Sequence, residues 1–457
     1  MADEKVVNYK IRYKVEIVLF TEVGNDTIIP VRLKGLTKHV DYSKHFSPIL
    51  TANLLLSVGH VKIIKNNQDT LLAKFTVTKI KYIENTESLK DRHAVEEFIV
   101  YDTIMVPIIE AEDIVNLREM EDTVAYPSDK DGLSIEESYS DGLDRRMNLY
   151  EVRVYLSSLE YHRMYKKSYN TILRGKDGGL ITVDSALKYI CETCGVGGYI
   201  VDMPDNNYPQ QNIIIPSGNV KYCLDMLQKM YGIYLKDMVT FYDLDSRMYV
   251  LNKFSSLHEY EEGFPRTVNL SVGTNKESTN HGSCSYLDDG AIVHSIFKGI
   301  QDESISIAAG EAYGDSIVFT NFGMGQETFI NDNGKLKNVE QANREFLRRT
   351  LSHAKTGLGM SFEYDELNNP YNMFSELEAV GITSMYIVSA DGMDLNCLKP
   401  NVVYTIRINS DNEKDNGRYD GKTFSLMSYT QQFVRDNELG GMDQFKTFET
   451  LLLADTN

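Results

Sequence analysis

By type and spacing, two pairs of aspartates are the residues best suited to do chemistry. Asp243 with Asp245, and Asp288 with Asp289, supply the two carboxylates that glycoside hydrolysis uses as general acid and as nucleophile or base. Each pair also lies in a stretch that reads as a turn, where Asp recurs because its side chain bonds nearby backbone amides. The turn reading is the expected one. Cys191-Glu192-Thr193-Cys194 is the one CxxC, and zinc would need a second pair, whereas Cys223, Cys284 and Cys397 stand alone. Its spacing puts both sulfurs on one turn of a predicted helix, so buried core thiols are expected.

The other motifs are incomplete. Nine histidines are scattered with no HxxxH or HExxH, and His39 and His45 lie six apart in a strand-like region. Asp129, Asp131 and Gly132 have part of a calcium-loop pattern but lack its ligand spacing and closing Glu. Gly323-Met324-Gly325 follows a strand without a GxGxxG or a P-loop lysine, and no GxSxG is present. No catalytic, cofactor-binding or metal-binding residue is therefore expected.

Composition narrows the classes further. A chain of 457 residues with 42% hydrophobic content can build two to four domains with real cores. A net charge of -19 argues against a protein that neutralises nucleic-acid phosphates with Lys and Arg. Five cysteines, an odd number spread over the chain, fit a reducing compartment better than a disulfide framework. MADEKVVNYK has no apolar core of signal-peptide length, and no transmembrane-length apolar run follows. A soluble protein made in a cytoplasm is expected.

The elements are mostly strands. YKVEIVLF (Tyr13 to Phe20), TIIPVRLKGL, Ile49 to Leu56 as a fully buried strand, VKIIK paired through Asn66-Asn67 with LLAKFTVTKIKYI, and FIVYDTIMVPIIEAE suggest a small barrel or sandwich over residues 1–111. Residues 112–148 form an acidic connection, with eleven Asp or Glu from Glu112 to Asp144 against Arg118 and Lys130. A solvated linker is the plain reading.

Residues 149–264 read as an α+β module. One helix starts at Thr182 to Ser185 and ends at Gly195; a second is capped by Ser217 or Asn219, buries Val220, Cys223, Leu224 and Leu227, and ends at Gly232. IYL, VTFY and MYVL follow as short strands. Residues 265–457 return to β, with one amphipathic helix marked by Val339, Ala342, Phe346, Leu347 and Leu351 and flanked by Arg344, Arg348, Arg349 and Lys355. Two long strands and a shorter last one are expected at the end. The fold class is α+β, predominantly β.

Two stretches carry a family resemblance. IIIPSGNVKYCLDMLQKMYGIYLKDMVTFYDLDSRMYVL, and LKPNVVYTIRIN with RYDGKTFSLMSYTQQF, resemble baseplate hub proteins of contractile-tailed bacteriophages. The resemblance implies two tail-tube-like β-barrels per chain, the second possibly discontinuous, with the α+β module inserted between them. It implies a homotrimer that joins a six-fold tail tube to a trimeric spike within the virion baseplate, and a channel through which DNA passes without specific binding. It implies no enzymatic activity. Other readings of the residues are a tail-associated peptidoglycan hydrolase using the turn aspartates, and a carbohydrate- or receptor-binding module.

Overall fold

The computed structural model describes residues 7–21, 27–42, 45–83, 94–116, 149–234, 238–253, 255–273, 282–297, 300–303, 318–321, 328–332, 335–338, 361–364, 385–409, 419–436 and 444–456. The first strands are β1 (Tyr9–Thr21), β2 (Thr27–Ile28), β3 (Arg32–Asp41) and β4 (Ile49–Ser57), followed by helix α1 (Val58–Asn66). Next come β5 (Leu71–Ile83), β6 (Ala94–Ile108), β7 (Ile114–Asn116) and β8 (Leu149–Ser158). β1 shows why they form: Ile11, Tyr13, Val15, Ile17 and Leu19 are buried while Lys14 and Glu16 are exposed, the period of two that a half-buried strand requires.

The module contains α2 (Leu159–Lys166), β9 (Tyr169–Arg174), α3 (Val183–Cys194), β10 (Gly198–Val201), β11 (Asn212–Gly218), α4 (Val220–Tyr231), β12 (Met238–Tyr242) and β13 (Arg247–Asn252). Its helices have explicit stops. Gly195 (φ 91) and Gly232 (φ 56) take the left-handed conformation that ends α3 and α4. α3 and α4 are each preceded by a strand of the β9–β11 pair and followed by a strand of the β10-β13-β12 sheet, so this part of the module repeats one strand-helix-strand unit.

The remaining strands are β14 (Thr267–Gly273), β15 (Ser283–Tyr286), β16 (Ala291–Phe297), β17 (Ile300–Glu303), a four-stranded sheet of β18 (Val318–Asn321), β19 (Thr328–Asp332), β20 (Lys335–Asn338) and β21 (Ser361–Tyr364), then β22 (Met385–Asp391), β23 (Val403–Asn409), β24 (Phe424–Arg435) and β25 (Gln444–Asp455). Hydrogen bonding closes the order β24-β3-β4-β8-β6-β5-β1-β15-β16-β14-β23 back onto β24, an eleven-strand ring. β25 crosses this ring, pairing with β24 along its length and with β1 at Tyr13 and Lys14. It divides the ring in two: β24-β3-β4-β8-β6-β5-β1-β25 on one side, and β1-β15-β16-β14-β23-β24-β25 on the other. β24, β25 and β1 are the shared wall.

The class is α+β and predominantly β, as the sequence indicates. Several details differ. VKIIK lies in α1 rather than in a strand, because Ser57 accepts a hydrogen bond from the His60 amide and caps a helix there. Ile49 to Leu56 is not buried throughout, since Ile49 is 42% exposed and β4 alternates before its buried end. Leu149–Ser158, assigned from sequence to the module, is instead a ring strand between β4 and β6. The last strand is as long as β24, 12 residues each. Most of the acidic connection (117–148, including 129–132), Gly323-Met324-Gly325 and the amphipathic helix with its basic residues lie outside the described residues.

The α4 start separates two candidate caps. Asn219 Oδ1 accepts from the Tyr222 amide at 2.9 Å and is the cap, whereas Ser217 lies in β11. Asn219→Ala should lower the unfolding free energy by about 1 kcal/mol and Ser217→Ala by no more than a few tenths, measured by urea unfolding.

Candidate functional site

Buried charges from distant parts of the chain meet at the β12–β13 hairpin. Its strands alternate between two cores. Phe241, Tyr249 and Leu251 join the core of the rings, while Tyr242, Met248 and Val250 join the core of the module. A strand buried on both faces reads as an unbroken apolar run, which is why VTFY and MYVL lack alternation. The turn between them, Asp243 to Ser246, enters the ring; Ser246 takes a left-handed φ of 61, and its amide donates to the Asp243 carbonyl at 3.2 Å.

Asp243 meets two lysines there. Lys38, on the inward face of β3, is 3.2 Å from Oδ1, and Lys399 is 2.6 Å from Oδ2, with all three side chains at most 4% exposed. Lys399 also bonds Asp245 Oδ2 at 2.7 Å. The Leu244 amide donates to Asp243 Oδ1 at 2.8 Å, and the Tyr249 hydroxyl to Asp245 Oδ2 at 2.8 Å. Lys38 donates to the Tyr101 hydroxyl at 3.0 Å. Two ammonium groups thus face two carboxylates.

Burial alone would raise the Asp243 pKa. Lys38 and Lys399, with hydrogen bonds from Lys399 and the Leu244 amide, outweigh it and hold the carboxyl well below its ordinary range. Burial would lower both lysines, yet Asp243 leads the groups that raise Lys38 and Lys399 above their ordinary value. The cluster is charged and closed.

A second buried pair lies nearby in the chain. Lys79 of β5 is 2.6 Å from Asp394, which also accepts from the Tyr286 hydroxyl at 2.5 Å and the Asn396 amide at 3.1 Å. Tyr13 donates to the Met393 carbonyl at 2.8 Å and Tyr42 to the Leu398 carbonyl at 2.9 Å. The segment from Met393 to Lys399 therefore carries one partner for each buried ring lysine network. Burial opposes ionisation of Asp394, and Lys79 lowers its pKa below the usual value.

The other residues singled out from sequence are not brought together. Asp289 bonds the Ala291 amide at 3.0 Å within a turn closed by Gly290 to Leu287. Cys191 and Cys194 face the module core on α3, and burial pushes both thiols up. His39 and His45 stack edge-on, 5.9 Å between ring centres, with His39 against Thr430 at 3.0 Å. Among the described residues no three His, Cys, Asp or Glu are grouped to hold a metal ion. What sequence reading missed was the lysines: Lys38 and Lys79 occupy inward positions of alternating strands, a pattern break that could have marked them.

Removing the central carboxylate leaves two buried ammonium groups short of a partner. Asp243→Asn should destabilise by about 3–5 kcal/mol at pH 7, and the part-exposed Asp245→Asn by less. Because the folded pKa of Asp243 lies below its unfolded value of about 3.9, its contribution is present above that pH and lost as pH falls further. Urea unfolding of wild type and Asp243→Asn should differ fully above about pH 4 and begin to converge only as pH falls below it, toward the folded-state value.

Comparison with known proteins follows from this architecture. A search of solved structures finds a 43 kDa tail protein of prophage MuSo2 from Shewanella oneidensis, 10% identical, covering 96% of each chain at a TM-score of 0.41. It also finds a Francisella PdpA-VgrG complex, 10% identical over 98% of this chain and 53% of that one, at 0.41. A third is the E. coli c3393 protein, a type VI secretion component whose description notes similarity to T4 tail proteins, 8% identical over 96% and 77%, at 0.37. TM-scores this low decide nothing about fold or function. No curated protein matches the sequence. The family model described as Bacteriophage PBS1 gene 109 protein matches residues 2–447; the chain belongs to that phage protein family.

Proposed function

We propose that this protein is a structural component of a phage tail baseplate, its central hub, joining tail tube to spike. The observation that carries the reading is the pair of hydrogen-bonded rings built around one shared wall in a single chain. Three such chains present six rings, which matches a six-fold tube on one side and a three-fold spike on the other. The first unit comprises the ring from β3 to β8 with the shared wall, the second the ring of β14, β15, β16 and β23, and the module docks on them through its hairpin. The phage family supports the setting.

The chemistry of the candidate residues also supports a non-enzymatic role. Asp243 is fully committed to two lysines, and Asp245 to Lys399, Tyr249 and the Arg247 amide. Asp243 is closed off from solvent and its pKa is lowered, the opposite of what a hydrolytic acid needs. The net charge of -19 suits a channel past which DNA slides without phosphate contacts that would arrest it. Partners in this reading are two further copies of the chain, tube proteins, a spike protein and other baseplate proteins, all within the virion. Among the described residues no helix is long and apolar enough to cross a membrane.

Sedimentation of the purified chain over a hundredfold concentration range, alone and with tube and spike proteins of the same phage, tests this. A trimer, or a complex with either partner, is the expected result. A monomer throughout that binds neither overturns the hub assignment.

A further inference from the structure

Glu449 lies in the wall shared by both rings and is 2% exposed. Its direct partner across the β24–β25 ladder is Gln431. The buried carboxylates Asp243, Asp394 and Asp436 each face a lysine or arginine. Glu449 faces none. Its hydrogen bonds come from Gln431 Nε2 at 3.0 Å to Oε1 and from the Met393 amide at 3.4 Å to Oε2.

The titratable groups around it offer no positive charge. They are Tyr13 on β1, Asp391 at the end of β22, Cys397 before β23, Tyr404 on β23 and Tyr429 on β24, with the Thr447 hydroxyl two residues away on the same strand. One acceptor of this wall, Gln431 Oε1, is buried with no hydrogen-bond partner. An ionised carboxylate only accepts hydrogen bonds, so it supplies nothing to an orphaned acceptor; a neutral carboxyl has an O–H to give. An unpaired charge in such a wall is also costly, and the usual relief is to take up a proton.

We propose that Glu449 is a proton-binding site of the shared wall: it holds a proton while β24 and β25 are closed together, and loss of that proton weakens their pairing. The acid–base balance agrees. Burial pushes the Glu449 pKa up to about 7, Asp391 adds in the same direction, and the hydrogen bonds from Thr447, Gln431 and Met393 only partly oppose this. With the unfolded value near 4.3, the folded state binds more protons between the two. Stability is therefore full below the unfolded value and is lost as pH rises through about 7. Within that window the folding equilibrium constant falls by up to about tenfold per pH unit from this group.

Urea unfolding of the full chain between about pH 5 and pH 8.5 tests the proposal when wild type is compared with Glu449→Gln, which keeps a neutral donor and cannot titrate. The variant should lack the wild-type decline and should equal or exceed wild type in stability at the alkaline end. Parallel pH profiles for the two proteins overturn the proposal. Infrared difference spectra of wild type alone, from about pH 5.5 to about pH 8.5, give an independent reading. Loss of a protonated-carboxyl band with a midpoint near 7 supports the site; no such loss overturns it, whether or not the variant folds.

Discussion

Three distant stretches of chain depend on one carboxylate, that of Asp243. Lys38 comes from the third strand, Asp243 from the module hairpin, and Lys399 from the segment before β23. Each charge would be prohibitive alone in a site this dry; the two lysines repel each other and are tolerable only because Asp243 lies between them. The pairing adds less to net stability than its short distances suggest, since desolvation offsets most of the attraction. What it does supply is orientation. The turn sits with its Asp243 carboxylate between Lys38 of β3 and Lys399, one oxygen to each.

The hairpin around that carboxylate packs against the rings on one face and the module on the other. Residues on one face of β12 and β13 pack with ring residues such as Tyr42, and residues on the other pack with Met164 and Ile190 of the module. The Tyr42 ring meets Phe241 edge-on at 4.7 Å, and the Tyr242 amide bonds the Phe46 carbonyl at 2.8 Å. Cutting the module away would expose two apolar faces, so an excised fragment inherits a defect on each side. A spacer domain tethered by flexible linkers would show neither feature.

Local physics made much of this readable. The alternation in β1 and β5, the Asn219 cap and the glycines that stop α3 and α4 are all written within a few residues, and each appears where its chemistry demands. VKIIK was ambiguous because five residues rich in Val and Ile suit a strand and a helix equally, and the deciding cap, Ser57, lies just upstream. β8 was misassigned because its partners, β4 and β6, are set by long-range pairing that leaves no local mark. The aspartate turn was legible as a turn; its role was not, since the lysines that complete it lie 205 and 156 residues away.

β1 divides its outer edge among three strands: β15 at Tyr9 and Lys10, β25 at Tyr13 and Lys14, and β2 at Leu19 and Phe20. Two of these come from the far part of the chain, and Arg12 joins Asp436, 424 residues on. A ribosome adding about 5–20 residues per second delivers that partner roughly 20 to 85 s after β1 emerges. Neither ring can close during that interval, and the first strand waits with an open edge that invites foreign pairing. Maturation of this protein is thus post-translational by topology, since the amino-terminal hairpins stay open-edged until the last strands arrive.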